Sequence, residues 1–153
     1  MLDWMLMPLK RYADFKGRSR RKEYWSFFLL SMIVMVVIMA LRSATGPSMM
    51  EVMAENPDNP LAIYGWMYGG VGMLLALWTL ATFVPNIALN VRRLHDRDMS
   101  GWWLLGFFVG MIIPIINIVA SIAYLVFMFL PGTAGPNRFG PDPKNPTSAD
   151  VFN

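Results

Sequence analysis

Three long tracts without any Asp, Glu, Lys or Arg constrain this chain more than any other feature. They cover residues 24–41, 63–89 and 102–130, and each is at least 18 residues long. An α-helix rises about 1.5 Å per residue and the hydrocarbon core of a bilayer is roughly 30 Å thick, so each tract can cross a membrane or nearly so. Hydrophobic residues make up 56% of the chain and charged residues 15%, unlike a soluble domain. We therefore predict an integral membrane protein built from α-helices.

The charges between these tracts predict the orientation of the chain. The first 23 residues are rich in Lys and Arg, residues 42–62 carry an excess of Asp and Glu, and residues 90–101 contain three Arg. Positive segments stay in the cytoplasm during insertion, so the N-terminus and the second loop are expected inside and the first loop outside. A nucleic-acid interface at the basic N-terminus is a weaker alternative, because orientation and anionic headgroups account for the same charges.

The third tract leaves the number of membrane spans open. At roughly 43 Å as a straight helix it is long for one span and short for two, and Pro114 interrupts it. We predict a shallow helical hairpin of residues 102–113 and 115–130, which gives four transmembrane helices. The alternative is one tilted helix kinked at Pro114, which gives three. The fold class is then an all-α polytopic membrane protein, a small helical bundle.

The whole chain is expected to form one domain with its segments in a fixed order. These are a basic cytoplasmic or interfacial segment (1–23), the first span (24–41), a periplasmic loop with a short helix (42–62), the second span (63–89), a basic cytoplasmic loop (90–101), the third and fourth spans (102–113 and 115–130) and a tail rich in Pro and Gly (131–153).

Two local signals predict where helices begin. Ser19 is placed to be the N-cap of a helix that starts at Arg20 and enters the membrane. Ser48 and Glu51 have the spacing of a capping box, which predicts a short helix in the first loop.

The second charge-free tract carries two patterns that concern packing. Gly65 and Gly69 are four residues apart and permit close approach of another helix, either within the chain or from a second copy. Towards the other end, polar side chains follow one another at steps of three or four residues, namely Thr79, Thr82, Asn86 and Asn90. Internal hydrogen bonding is the main interpretation of this polar stripe. The alternative is a polar path in an oligomeric transporter or channel component.

The segment after the second tract is the best candidate for a functional site. Residues 92–98 contain three Arg, the single His and two Asp. These charges can anchor the helix, or Arg92 and Arg93 can bind a phosphate or lipid headgroup together with Arg18 or Arg20, because guanidinium groups match phosphate oxygens. An enzyme acting on a lipid phosphate ranks third. The chain has no Cys and no second His, so we predict no metal site. We also predict no cofactor and assign no catalytic residue.

Three sequence motifs resemble a known family when they are taken together. They are FKGRSRRKEYW at residues 15–25, RRLHD at 92–96 followed by SGWW at 100–103, and GPNRFGPDP at 135–143. In this order and spacing they resemble the bacterial inner-membrane family called domain of unknown function 805. The resemblance implies a small multi-pass protein of the bacterial inner membrane and no established activity. It also suggests that the three motifs act on one face, which requires the hairpin.

The functional hypothesis from the sequence is a non-enzymatic module that binds anionic lipid headgroups or a partner protein at the cytoplasmic face. The expected partners are membrane lipids, with a second copy of the chain or another membrane protein as further candidates. The residues predicted to form the binding site are Arg18, Arg20, Arg21, Glu23, Trp25, Arg92, Arg93, His95, Asp96, Trp102, Asn137 and Arg138.

Overall fold

The computed structural model describes residues 1–144, and within this range the chain forms helices and turns without a β-strand. The helices are α1 (Leu2–Lys10), α2 (Arg21–Thr45), α3 (Met49–Glu55), α4 (Ala62–Tyr68), α5 (Met73–His95), α6 (Trp102–Ile112) and α7 (Asn117–Phe129). The predicted all-α fold class is confirmed. Residues 131–144 of the predicted tail form turns and extended chain, and residues 145–153 lie outside the described residues.

Two helices are long and apolar enough to cross a bilayer. They are α2 and the stretch Gly70–His95, which contains α5. Helices α6 and α7 are also apolar but have only 11 and 13 residues, which correspond to about 16 Å and 20 Å. Four membrane-crossing helices therefore stay a prediction.

The second charge-free tract differs from the single helix expected over residues 63–89. The chain leaves the helical conformation at Gly69, and Gly70 adopts a φ of +55°, a region that favours glycine. A new helix begins at Met73 and continues to His95, so the predicted cytoplasmic loop 90–101 is helical in its first half. The predicted helix ended too early because charged residues were taken as the start of a loop, whereas Arg92 and Arg93 are buried and paired within the helix.

The start of α2 also differs from the expectation in one detail. The helix begins at Arg21, and the Ser19 hydroxyl donates to Glu23 Oε2 at 2.5 Å. The predicted N-cap role of Ser19 is wrong, because Arg20 occupies the N-cap position, where its carbonyl accepts from the Tyr24 N–H at 3.2 Å. The capping box of Ser48 and Glu51 is confirmed, with both reciprocal bonds present at the start of α3.

The described residues divide into two compact units. Unit 1 consists of Met1–Phe27 and the chain from Val84 onward, and unit 2 consists of Phe28–Phe83. In unit 2, α3 packs against α4, and Arg42 Nε donates to the carbonyl of Trp66 at 3.0 Å. A Cβ atom built on Gly65 would meet no atom within 4 Å. Packing of Gly65 and Gly69 against a second copy of the chain stays a prediction.

Unit 1 contains a helical hairpin made by α6 and α7. Residues of the two helices pair in opposite order along the chain, as in an antiparallel hairpin. Phe107 and Tyr124 lie 5.7 Å apart between ring centroids, and a Cβ atom built on Gly110 would meet the Ala120 Cβ at 2.8 Å. The turn is closed by Asn117 N–H, which donates to the Ile113 carbonyl at 2.8 Å. The two helices turn back on each other, as the hairpin prediction requires, instead of forming one kinked helix. The buried core formed by α5, α6 and α7 consists of Leu94, Leu104, Phe107 and Met128.

Candidate functional site

Asp96 is shared by two arginines, one of which comes from a distant part of the chain. Arg18 Nε donates to Asp96 Oδ1 at 3.0 Å, and Arg93 Nη1 donates to Asp96 Oδ2 at 2.7 Å. All three side chains are at most 5% exposed. A buried charge without a partner costs several kcal/mol, so each of these groups depends on the others. The first sequence motif is thus joined to the second through one carboxylate.

A second buried ion pair connects the beginning of α2 to the end of α5. Arg92 Nη2 donates to Glu23 Oε1 at 3.0 Å, and the other Glu23 oxygen accepts the Ser19 hydroxyl. Arg92 Nη1 donates to the backbone carbonyls of Arg11 and Asp14. The Arg92 guanidinium therefore holds the loop between α1 and α2 in place.

The tail reaches the same cluster through its backbone. Thr133 N–H donates to the Asp96 carbonyl at 2.8 Å. Arg18 donates from Nη1 to the Gly135 carbonyl and from Nη2 to the Thr133 carbonyl, both at 2.6 Å. All three motif regions consequently meet around Arg18 and Asp96, and we call Arg18, Glu23, Arg92, Arg93 and Asp96 the buried cluster.

His95 lies between the first motif and the tail. Its Nδ1 lies 3.2 Å from the Gly17 carbonyl, so Nδ1 carries the proton that is donated there. Its ring stacks on Phe139 at 3.8 Å between centroids, and its own carbonyl accepts from Asn137 Nδ2 at 2.9 Å. These contacts give His95 and Asn137 a role in docking the tail.

Arg138 pairs with a carboxylate at the surface. Its Nε lies 3.2 Å from Asp98 Oδ1, and both side chains are largely exposed. The guanidinium also lies over the Phe139 ring at 4.8 Å. Arg138 therefore lies beside the buried cluster without belonging to it.

The C-terminal end of α7 is surrounded by arginines. Arg93 donates to the carbonyls of residues 128 and 130, Arg21 donates to that of residue 129 at 3.1 Å, and Arg97 donates to that of residue 131 at 2.5 Å. The last carbonyls of a helix have no partner within it and carry partial negative charge, which explains the match. Arg97 was not among the residues predicted to form the binding site, although it lies in the charged segment 92–98.

Trp25, Arg20 and Trp102 of the predicted site lie in three different surroundings. Trp25 stacks on Phe129 at 4.1 Å, next to the arginines at the end of α7. Arg20 lies 5.7 Å from the Trp4 ring, on the side of α1. Trp102 is 78% exposed and belongs to neither group.

The four residues of the polar stripe form two kinds of hydrogen bond. Thr79 and Thr82 each donate to a carbonyl one turn earlier in α5, both at 2.8 Å. Asn90 Nδ2 donates to the Asn86 carbonyl at 2.8 Å, and Asn90 Oδ1 accepts from the Tyr124 hydroxyl at 2.5 Å. The bond between Asn90 and Tyr124 joins α5 to α7, which supports internal hydrogen bonding at this end of the stripe.

Two carboxylates outside the helices have perturbed pKa values. Hydrogen bonds from the backbone N–H groups of Lys144 and Gly135 hold the pKa of Asp142 below its ordinary value of 3.8. Partial burial raises the pKa of Asp14, but the hydrogen bonds from Arg11 and from the Lys16 N–H together with the charges of Arg11 and Arg92 outweigh it, and the net shift is downward. Both carboxylates are therefore charged at neutral pH and serve as turn-forming acceptors.

The acidic and histidine side chains do not form a metal site within residues 1–144. No group of three or more His, Cys, Asp or Glu is close enough there to hold a metal ion. The buried carboxylates of Glu23 and Asp96 are instead bound by arginines.

The comparison with known proteins identifies the family. A family model described as "Protein of unknown function (DUF805)" matches residues 12–141. The chain belongs to this family. "Inner membrane protein YhaH" of Escherichia coli (strain K12) is 39% identical over 144 residues, covering 94% of this chain and 98% of the relative. "Inner membrane protein YhaI" of the same organism is 40% identical over 143 residues, covering 94% and 97%. No solved structure matches the chain.

The DUF805 match confirms the resemblance inferred from the three motifs. It includes every member of the buried cluster and also Arg97, His95 and Asn137. The relatives are named inner membrane proteins, in agreement with the apolar helices of this DUF805 protein. The motif residues that define the resemblance are thus largely those that hold unit 1 together.

Proposed function

We propose that this protein is a non-enzymatic module of the inner membrane that binds anionic lipid headgroups at its cytoplasmic face. One observation carries the proposal. The three cations at the beginning of α2, Arg20, Arg21 and Lys22, form no ion pair with any carboxylate among the described residues.

The structure divides the basic residues into two groups. The arginines of the buried cluster donate their hydrogen bonds to carboxylates inside the protein, so their role is structural. Arg21 and Lys22 are exposed and Arg20 is half-buried. The headgroup contacts therefore belong to this outer group, which the cluster holds in position.

The position of the outer group favours lipid as the ligand. These cations stand at one end of α2, a helix with the length and composition of a membrane span. A Lys or Arg at the surface of an anionic leaflet contributes about 1 kcal/mol. Positive segments stay in the cytoplasm, so we expect this end of α2 to lie at the anionic inner leaflet.

The alternative functions have less support. Thr79 and Thr82 donate to carbonyls of their own helix, so their hydroxyl hydrogens are already used and do not favour a polar path. His95 is engaged by Gly17 and Phe139, an arrangement that suits tail docking better than proton transfer.

The proposal is tested by binding of the purified protein to lipid nanodiscs. We expect enrichment of phosphatidylglycerol over phosphatidylcholine around the protein, measured by mass spectrometry of co-purified lipid. Lys22→Gln should reduce this enrichment. Lys144→Gln is the matched control, because Lys144 is also exposed and without an ion pair within residues 1–144. No preference of the wild-type protein for phosphatidylglycerol would overturn the proposal.

A further inference from the structure

The arginines at the end of α7 carry more positive charge than the protein neutralises. Arg93 is paired with Asp96, which it shares with Arg18. Arg21 and Arg97 have no carboxylate partner in the part of the chain that the structure describes. Both lie close enough to Arg93 for their charges to act on it. The group therefore has an excess of positive charge that an anion would balance.

Arg21 and Arg97 also keep donors that the protein does not use. Arg21 is exposed and makes one hydrogen bond within residues 1–144, from Nη1 to the Phe129 carbonyl. Arg97 uses Nη1 for the Pro131 carbonyl, its Nε is buried, and its Nη2 makes no hydrogen bond among the described residues. A phosphate group is the anion whose oxygens fit such guanidinium donors.

The two guanidinium groups are both anchored at the end of α7. Arg21 donates to the Phe129 carbonyl and Arg97 donates to the Pro131 carbonyl. These two anchoring residues are two positions apart in the chain, so they lie at most about 7 Å from each other. Both arginines therefore belong to one basic region at the end of α7.

An apolar surface adjoins these donors. Trp25 lies one helical turn after Arg21 and stacks on Phe129 at 4.1 Å. A free phosphate ion gains nothing from contact with an apolar surface. The glycerol and acyl part of a lipid is stabilised there, because the contact buries apolar area.

We propose that Arg21 and Arg97 form a phosphate subsite that binds the phosphodiester of an anionic lipid, whose glycerol and acyl part lies against the Trp25 and Phe129 rings. This inference rests on the proposed headgroup binding and names its site. It assigns a role to Arg97, which the sequence motifs did not single out.

The experiment measures the affinity of the full-length protein in neutral detergent for short-chain phosphatidylglycerol. The test variant is Arg21→Gln combined with Arg97→Gln. The control is Lys10→Gln combined with Lys16→Gln, which removes two exposed charges that have no ion pair among the described residues. We expect about tenfold weaker binding for the arginine variant, on the order of one charge-assisted hydrogen bond, and less than about twofold for the control.

Each other outcome has a defined meaning. If the wild-type protein binds short-chain phosphatidylcholine as well as phosphatidylglycerol, the proposed function itself fails. If phosphatidylglycerol is preferred but both double variants lose the same amount of affinity for it, headgroup binding holds and the subsite is wrong. If inorganic phosphate competes as strongly as the short-chain lipid, the ligand is free phosphate and the lipid assignment is wrong.

A second variant protects the test against misfolding. Should the double arginine variant melt well below the wild-type protein, Arg21→Gln alone is used, because Arg21 is exposed and makes one hydrogen bond within residues 1–144. We expect about threefold weaker binding for this variant. Unchanged affinity would overturn the subsite.

Discussion

Gly132 lies directly against Asp96, where a Cβ atom would come within 3.0 Å of Cγ and of both carboxylate oxygens. We expect Gly132→Ala to displace the tail from the buried cluster and to lower the free energy of unfolding by about 1–3 kcal/mol, as overpacking does. Thermal unfolding followed by circular dichroism in detergent measures the effect. Gly106→Ala is the control, because a Cβ there meets no atom within 4 Å. Equal melting of the two variants would contradict the prediction.

Asp96 should matter far more to stability than the nearby Asp98. Asp96→Asn leaves the guanidinium groups of Arg18 and Arg93 buried without a carboxylate, and breaking such a pair costs about 3–5 kcal/mol. Asp98 pairs with Arg138 at an exposed position, so Asp98→Asn should cost about 0–1 kcal/mol. Asp98 has a φ of +57°, which Asn tolerates well. Chemical denaturation of both variants checks the difference, and similar losses would refute it.

The helix signals that proved correct are those whose partners are close in sequence. Ser48 and Glu51 satisfy each other within one turn, so the capping box could be predicted from four residues. The Ser19 prediction missed by one residue, since the local pattern does not show whether the helix begins at Arg20 or at Arg21. Helix ends are therefore harder to predict from local patterns than the helices themselves.

The candidate site could be predicted only in part. The charges in the three motifs marked Arg18, Arg93 and Asp96 as belonging together, yet Arg18 and Asp96 are 78 residues apart and their pairing depends on the fold. Arg97 was missed because its partner is the Pro131 backbone carbonyl. Every residue has such a carbonyl, so the sequence carries no signal for that contact.

The carboxylate of Asp142 should titrate below its ordinary pKa of 3.8. It accepts hydrogen bonds from the N–H groups of Gly135 and Lys144, which favour the charged form and lower its pKa. The stabilisation of this turn is thus complete above the unfolded pKa and is lost as the pH falls through the lower, folded pKa. The amide shifts of Gly135 and Lys144 in a two-dimensional NMR titration report it, with Asp142→Asn as the control. A midpoint at or above pH 3.8 would contradict the expectation.

The ends of α5 and α7 lie together, and this predicts the side on which the tail emerges. Arg93 at the end of α5 donates to the Leu130 carbonyl just after α7, and Arg97 donates to the Pro131 carbonyl at 2.5 Å. The chain therefore enters and leaves the hairpin of α6 and α7 on the same side of the membrane. Since basic segments stay inside, we expect a fluorescent protein fused after Asn153 to report the cytoplasm.

Fusions at two other positions make this topology test decisive. An N-terminal fusion should also report the cytoplasm, and alkaline phosphatase inserted after Glu55, at the end of α3, should be active in the periplasm. Phosphatase activity after Asn153 would require the chain to cross the membrane once between His95 and the tail. That crossing is incompatible with the hydrogen bonds from Arg18 to Thr133 and Gly135 and with the anchoring of Arg21 and Arg97 on the carbonyls of residues 129 and 131. Such a result would therefore separate the tail from the buried cluster and overturn the proposed phosphate subsite.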